Sequence, residues 1–340
     1  MQCRTTISTP SLRRVALAVA LLCAPWCGAC VLRAQDIHFS QIDVNPILLN
    51  PAYSGFFNGT GRVGVSYRNQ WASVGEAFQT VAASAEVSLL RRRRHRDGLS
   101  LGIWAFTDRA GELRYGTTAA TAALSYFLAL DRSGDFFLSG AVEIGYGQSG
   151  FSPSEANMYD PTETFDRSSV AYPLVGAGLA LFVQPNDDLC FKVGASGRNL
   201  NRPNISYSGR DDVFLERKFN LYGRMEYRAW SQVSLLPVVL WQTQRQHDEV
   251  VVGCDAKWYI HEGREDQMSL SAGLRYRWRD ALYMEYLFEW GSFLFALSYD
   301  ANVSKLTPAS HSVGAFEIGL VYRINAREGV RRKAMPCPIV

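Results

Sequence analysis

The residue types of a nucleophilic hydrolase occur in this chain as His247, Asp248, His311 and Ser312. In such a set an imidazole takes the serine proton and a carboxylate holds the imidazole in the right tautomer. Here they sit in two separate segments at a spacing the chemistry does not demand, in a chain with only five histidines among 340 residues. The stretch "HEGRE", His261 to Glu265, begins like a zinc-protease helix but has Glu265 where the second histidine ligand belongs. It reads as a solvated turn. Of the seven cysteines, Cys3, Cys23, Cys27 and Cys30 precede the mature chain, and Cys190, Cys254 and Cys337 make neither a Cys-x-x-Cys pair nor a disulfide framework. The run "RRRRHR", Arg91 to Arg96, is the charge type that meets phosphates, yet the net charge of +3 argues against nucleic acid. That run reads as a basic turn, solvated or facing phospholipid, and able to meet an acidic periplasmic partner. The chain is therefore read as non-enzymatic, with no catalytic residue, cofactor or metal site.

The elements that would position any chemistry begin after an export signal. Arg4, Arg13 and Arg14 precede the apolar run from Val15 to Cys30, and Ala34 offers a small residue for cleavage before Gln35, so residues 1–34 read as a signal peptide. Beyond it, no apolar run reaches the ~18 residues of a membrane helix. What recurs is period two, which sends alternate side chains to opposite faces of a strand. In "MSLSAGLRYRW", Leu270, Ala272, Leu274, Tyr276 and Trp278 alternate with Ser269, Ser271, Gly273, Arg275 and Arg277. "NLYGRMEYR" and "FEIGLVYRI" repeat the pattern, and Glu86 and Glu143 obey it. Period alone fits a soluble sandwich or a membrane barrel, whose polar face points inward. The polar face is rich in small residues mixed with occasional charges, as a lumen wall is.

Fourteen strands can be read, near 62–69, 78–89, 98–106, 114–129, 135–147, 172–182, 188–196, 218–229, 231–243, 249–259, 267–278, 281–288, 291–299 and 312–324. The number is even, as in single-chain bacterial barrels. With both termini periplasmic, the connections at Asp131, Gln184, Trp230 and Glu289 are short periplasmic turns, while the long connections from Gln148 and Gly197 are external. The short external "RD" at Arg279 breaks this rule. The expected fold class is all-β, a transmembrane antiparallel β-barrel of about fourteen strands with short periplasmic turns and longer external loops, placed in the outer membrane and its lipid. Arg68, Arg224, Arg275, Arg277 and Glu285 fall on inner faces, where they either line an open lumen or cross-bridge and close it.

Ahead of the first strand stands "QDIHFSQ" from Gln35, then "NPILLNPAYSG" from Asn45, then "RVGVSYRNQW" from Arg62 to Trp71. These resemble the amino-terminal signature of the PorP/SprF family, type IX secretion system membrane proteins of Bacteroidetes. The match runs through Gln35, Asp36, Phe39, Ser40, Gln41, Asn45, Pro46, Asn50, Pro51, Ala52, Tyr53, Gly55, Tyr67, Arg68, Gln70 and Trp71. The resemblance extends loosely over the rest of the chain. It departs at the end, where "NAREGVRRKAMPCPIV" follows Ile324 and members usually stop soon after a terminal aromatic. The family implies a non-enzymatic outer-membrane accessory of protein secretion and gliding motility. It would assist export or surface attachment of an adhesin-like cargo by binding periplasmic ring components of the machine or the cargo's carboxy-terminal domain. A general diffusion porin is the alternative.

The motif has its own physical reading. Asparagine side chains bond to backbone two residues on, and proline cannot donate to a ladder, so Asn45, Pro46, Asn50 and Pro51 should hold a compact non-strand segment. Residues 35–61 are expected to form either a clasp at the periplasmic mouth or a docking face, with Ile47 and Leu48 as its exposed apolar pair. Tyr67, Arg68, Gln70 and Trp71 should end the first strand at its external rim, with Trp71 as interfacial anchor. The barrel is expected over 62–324 and a basic tail over 325–340.

Overall fold

The computed structural model describes residues 37–70, 78–92, 97–110, 115–131, 133, 135–151, 167–207, 213–261, 267–303 and 313–324. The expected leader, Gln35, Asp36, Trp71, residues 93–96, His311, Ser312, most of "HEGRE" and the tail over 325–340 lie outside the described residues.

Alternation of branched or aromatic residues with small polar ones builds the strands β1 (Gly61–Gln70), β2 (Phe78–Arg92), β3 (Asp97–Ala110), β4 (Tyr115–Ala129), β5 (Phe136–Gly150), β6 (Ser169–Asn186) and β7 (Leu189–Arg198). The second half holds β8 (Lys218–Trp230), β9 (Val233–Gln244), β10 (His247–His261), β11 (Met268–Arg277), β12 (Ala281–Trp290), β13 (Phe293–Asn302) and β14 (Val313–Ile324). Each pairs antiparallel with its sequence neighbours, and β1 pairs with β14 from Gly61 opposite Ile324 to Gln70 opposite Ala315, so the sheet closes. Closure satisfies every strand edge, which a backbone in lipid requires.

The fourteen strands read from the sequence are all present, with shifted ends. β3 runs on to Ala110 rather than 106, because the backbone ladder to β4 continues through Asp108 opposite Thr117 where the apolar alternation has ended. The short "RD" connection is genuine: Arg279 takes a left-handed φ of 59° and the Asp280 N–H donates to the Arg277 carbonyl at 3.1 Å.

Polarity is inverted relative to a soluble protein. Val142, Ile144 and Leu179 project outward, 60%, 67% and 60% exposed, while Arg62, Arg68, Glu86, Glu143, Arg275, Glu285 and Glu317 are buried inside. A closed sheet with its charges inside and its branched residues outside is a membrane barrel, and the soluble sandwich is excluded. Turns such as Asp187–Asp188 and Gly291–Ser292 gather at the end where β1 begins and β14 finishes, here the turn end. The connections over 151–168 and 199–217 leave the opposite, loop end.

The two faces make unequal demands on a new charge. Leu274→Arg, at a position 51% exposed on the outer face, is expected to destabilise the inserted barrel by about 2–4 kcal/mol. Ser271→Arg should cost less, because Ser271 faces inward and borders a polar cavity of about 220 Å³. Heat-modified gel mobility reports both, and equal tolerance would contradict the face assignment.

Candidate functional site: the plugged lumen

The two Asn-Pro pairs generate two consecutive 3-10 turns, Pro46–Leu48 and Pro51–Tyr53, each opened by its proline. Proline suits a first helical position because its φ is preset and its missing N–H would be unpaired there. Asn50 caps the second turn, its Oδ1 accepting from the Ala52 N–H at 2.9 Å. Asn45 makes no such cap. Instead its Nδ2 donates to Ser66 Oγ at 2.7 Å and its Oδ1 accepts from Ser84 Oγ at 2.6 Å, tying it to β1 and β2.

These turns stand inside the barrel. The described chain starts at the loop end, where the Lys218 ammonium donates to the Ile37 carbonyl at 3.1 Å, and winds down to the turn end, where the Thr60 N–H donates to the Ile324 carbonyl at 2.7 Å. The expected seat at one mouth is thus corrected: the segment runs through the lumen from end to end. Ile47 is fully buried against Ala82, Trp104 and Phe106, and Leu48 is half-buried on the same cluster, so neither is an exposed docking residue. A short irregular segment exposes backbone groups that only a polar enclosure can satisfy, and the lumen supplies one.

Near the loop end an ionic network grips the segment. The Ser40 and Gln41 N–H groups donate to the two oxygens of Glu317 at 2.8 and 2.9 Å. Glu317 also pairs with Arg68, while Ser40 Oγ donates to Asp300 at 2.9 Å and accepts from Arg277 at 2.9 Å. Deeper, Asp43 pairs with Arg224, and Asp255 bridges Arg224 and Arg275 at 3.2 and 2.8 Å. Arg275 also pairs with Glu285. Burial pushes the Asp43 carboxyl up, but Arg224, Lys192 and Arg275 together overcome this and hold it well below the usual carboxylate range. Burial, aided by Arg277, Arg68 and Lys218, holds the His38 imidazole well below its ordinary value, so it is neutral. Asp43, Asp255 and Glu285 bring carboxylate oxygens within 4.8 Å of one another, a donor set a cation could share. The guanidinium groups of Arg224 and Arg275 already pair with all three.

Further along, wall side chains take up the segment's carbonyls. Ser196 Oγ and Asn220 Nδ2 donate to the Leu49 carbonyl at 2.7 and 3.0 Å, Ser139 Oγ to Ala52 at 2.7 Å, and Ser125 Oγ to Ser54 at 2.7 Å. Glycine marks where the walls yield: a Cβ on Gly64 would stand 2.6 Å from the Val44 carbonyl oxygen, and one on Gly102 2.2 Å from Ile47 Cδ1. At the turn end the bond type changes. Phe56 stacks on Phe182 at 3.4 Å and meets Phe127 and Phe137 edge-on at 6.0 and 5.7 Å.

The motif residues therefore separate by role. Ser40, Gln41, Asn45, Pro46, Asn50, Pro51, Ala52, Tyr53 and Gly55 are all buried in the lumen, and Phe39 is half-buried. Arg68 joins them from β1, being 2% exposed, whereas Tyr67 and Gln70 on the same strand are half-buried. Of the hydrolase-type residues, His247 and Asp248 begin β10 in exposed positions. The sequence reading missed Asp43, Glu317 and Asp300 as anchors; only Glu317 carried a local signal, an acid on an inward position opposite the inward Arg68. Replacing Asn45 and Asn50 together by alanine removes five side-chain hydrogen bonds. The expected loss is about 2–5 kcal/mol, judged from buried groups left unpaired. It is read as a lowered midpoint of heat-modified mobility, and an unchanged midpoint would mean that water replaces both side chains.

The family model described as "Type IX secretion system membrane protein PorP/SprF" matches residues 31–322. The chain belongs to the PorP/SprF family. No curated protein matches the chain. Among solved structures, the "TodX monoaromatic hydrocarbon channel deltaS2 mutant" is similar at 8% identity, covering 84% of this chain and 94% of that one, with a TM-score of 0.50. The toluene transporter TbuX of Ralstonia pickettii is similar at 11% identity, over 83% of this chain and 94% of that one, with a TM-score of 0.49. At such identities the TodX likeness speaks for the barrel fold alone. This PorP/SprF chain is thus a type IX secretion membrane protein with an outer-membrane barrel fold, and the stretch of its signature motif from Ser40 to Gly55 lies in the lumen.

Proposed function

We propose that this chain is a closed, non-enzymatic outer-membrane accessory of type IX secretion. It assists export or surface attachment of an adhesin-like cargo by binding the periplasmic machinery or the cargo's carboxy-terminal domain. The observation that carries this over the diffusion porin is the lumen. Residues 40–47 and 49–57 are buried there, held by Glu317, Asp300, Arg68, Arg224 and Arg277, where a porin would keep a water path. The Asn-Pro motif serves as an internal clasp that sets the barrel's shape, and partners engage the barrel ends. Tyr67, Gln70 and Trp71 serve as rim anchors.

The test has two arms. In planar bilayers the intact protein should be electrically silent, and a large, stable open channel would favour the porin. Crosslinked pull-down from outer membranes should recover type IX components or a large secreted cargo. Recovery of neither, at normal barrel levels, would remove the accessory reading.

A further inference from the structure

Lys192 is a buried cation with no bonding partner. It sits on β7 facing the lumen, 5% exposed, and among the described residues it makes no hydrogen bond or ion pair. Its direct neighbour across the β7–β8 ladder is Arg224, another cation. Like charges directly opposite in a sheet oppose pairing. Arg224 is paired with Asp43 and Asp255, whereas Lys192 feels the charges of Asp43 and Glu226 without bonding to either, so its N–H donors stay unused.

Both line a cavity of about 220 Å³ toward the turn end, bordered by Asn58, the turn residues Asp187 and Asp188, and Arg323 near the end of β14. The other acids of the cavity are spoken for or turned to solvent. Glu289 accepts from Lys257 at 3.0 Å and from Ser269 at 2.8 Å, Glu226 accepts from Tyr259, and Asp187 and Asp188 are exposed. The volume exceeds the ~150 Å³ of a cavity that holds benzene, so it has room for a carboxylate side chain. In the sequence, the run from Arg91 in β2 to Arg96 before β3 carries five arginines, a charge sign that suits acidic segments.

We propose that the cavity around Lys192 is an anion pocket that takes a carboxylate side chain from an acidic segment of a partner polypeptide at the turn end. This deepens the accessory reading and rests on it for which end meets a partner. The Lys192 ammonium supplies the free donors, and Arg224, held by its own acids, adds field without a charge left over. A carboxylate in place would also relieve the opposition between the two cations.

The experiment uses the full chain in detergent micelles with a fluorescent tetra-aspartate peptide, amidated at its end, and a tetra-asparagine control. The aspartate peptide should bind and the asparagine peptide should not. Lys192→Met should weaken binding at least about tenfold while heat-modified mobility persists. Ser271→Glu, which places a carboxylate in the cavity from the opposite wall, should fold and lose peptide binding, and it serves as the decisive variant if Lys192→Met fails to fold. Equal binding by wild type and the folded variant overturns the pocket. Displacement of the peptide by inorganic phosphate at equal concentration overturns a polypeptide carboxylate as its occupant. The accessory reading fails separately: pull-down could recover no secretion partner while the purified barrel still binds the peptide through Lys192.

Discussion

Glu317→Ala is expected to destabilise the folded barrel by about 3–5 kcal/mol, the range for breaking a buried charge pair from one side. Glu317 is 0% exposed and receives three donors, the N–H groups of Ser40 and Gln41 and the Arg68 guanidinium. Alanine would strand the two N–H groups where water has little access and take one acceptor from Arg68. Asp300 can still hold Arg68 at 3.3 Å, which sets the loss toward the lower part of the range. Glu317→Gln keeps the shape and an acceptor oxygen, and it should lose roughly half as much because a neutral acceptor binds a guanidinium less strongly. The readout is the urea midpoint of heat-modified mobility in micelles. Alanine and glutamine variants with wild-type midpoints would mean that the lumen segment does not contribute to barrel stability.

Phe56→Ala should cost about 3–5 kcal/mol by a different mechanism, the loss of a packed aromatic and the void left behind. Phe56 is 0% exposed and is the knob on which Phe127, Phe137 and Phe182 converge. Its removal should leave the loop-end ion pairs in place and loosen the turn end selectively. Limited proteolysis should then cut near Asn58 in the variant and leave Ser40 to Asn45 protected. Combining it with Phe182→Ala should add less than the sum, since the two rings share one contact. Strict additivity, or uniform loosening along the segment, would contradict the stacked arrangement.

Much of the barrel was legible because its signal is local. Whether Leu274 or Arg275 faces lipid follows from period two and from the fact that a charge costs more in lipid than in a polar lumen. The family signature was legible too, as Asn45, Pro46, Asn50 and Pro51 at fixed spacing, and so was the non-strand character that proline and asparagine impose on it. Extended pairing beyond the apolar alternation, as at Asp108, was not legible, since the ladder bonds backbone irrespective of side chain.

By itself, then, the sequence determined the strands, their count, the inversion of their faces and the presence of an irregular amino-terminal segment, because each depends on side chains within one or two turns of chain. Only the tertiary structure decided where that segment goes. Ser40 meets Glu317 across 277 residues of sequence, and Asn50 reaches Leu179 and Ala195 across 129 and 145. No local period encodes such contacts. The inward serines that looked like a plain lumen wall are acceptors' partners for a second chain segment, and the glycines at 64 and 102 are the space it occupies. A polar face alone is compatible with water or with backbone, and closing the barrel around residues 37–60 is what selects backbone.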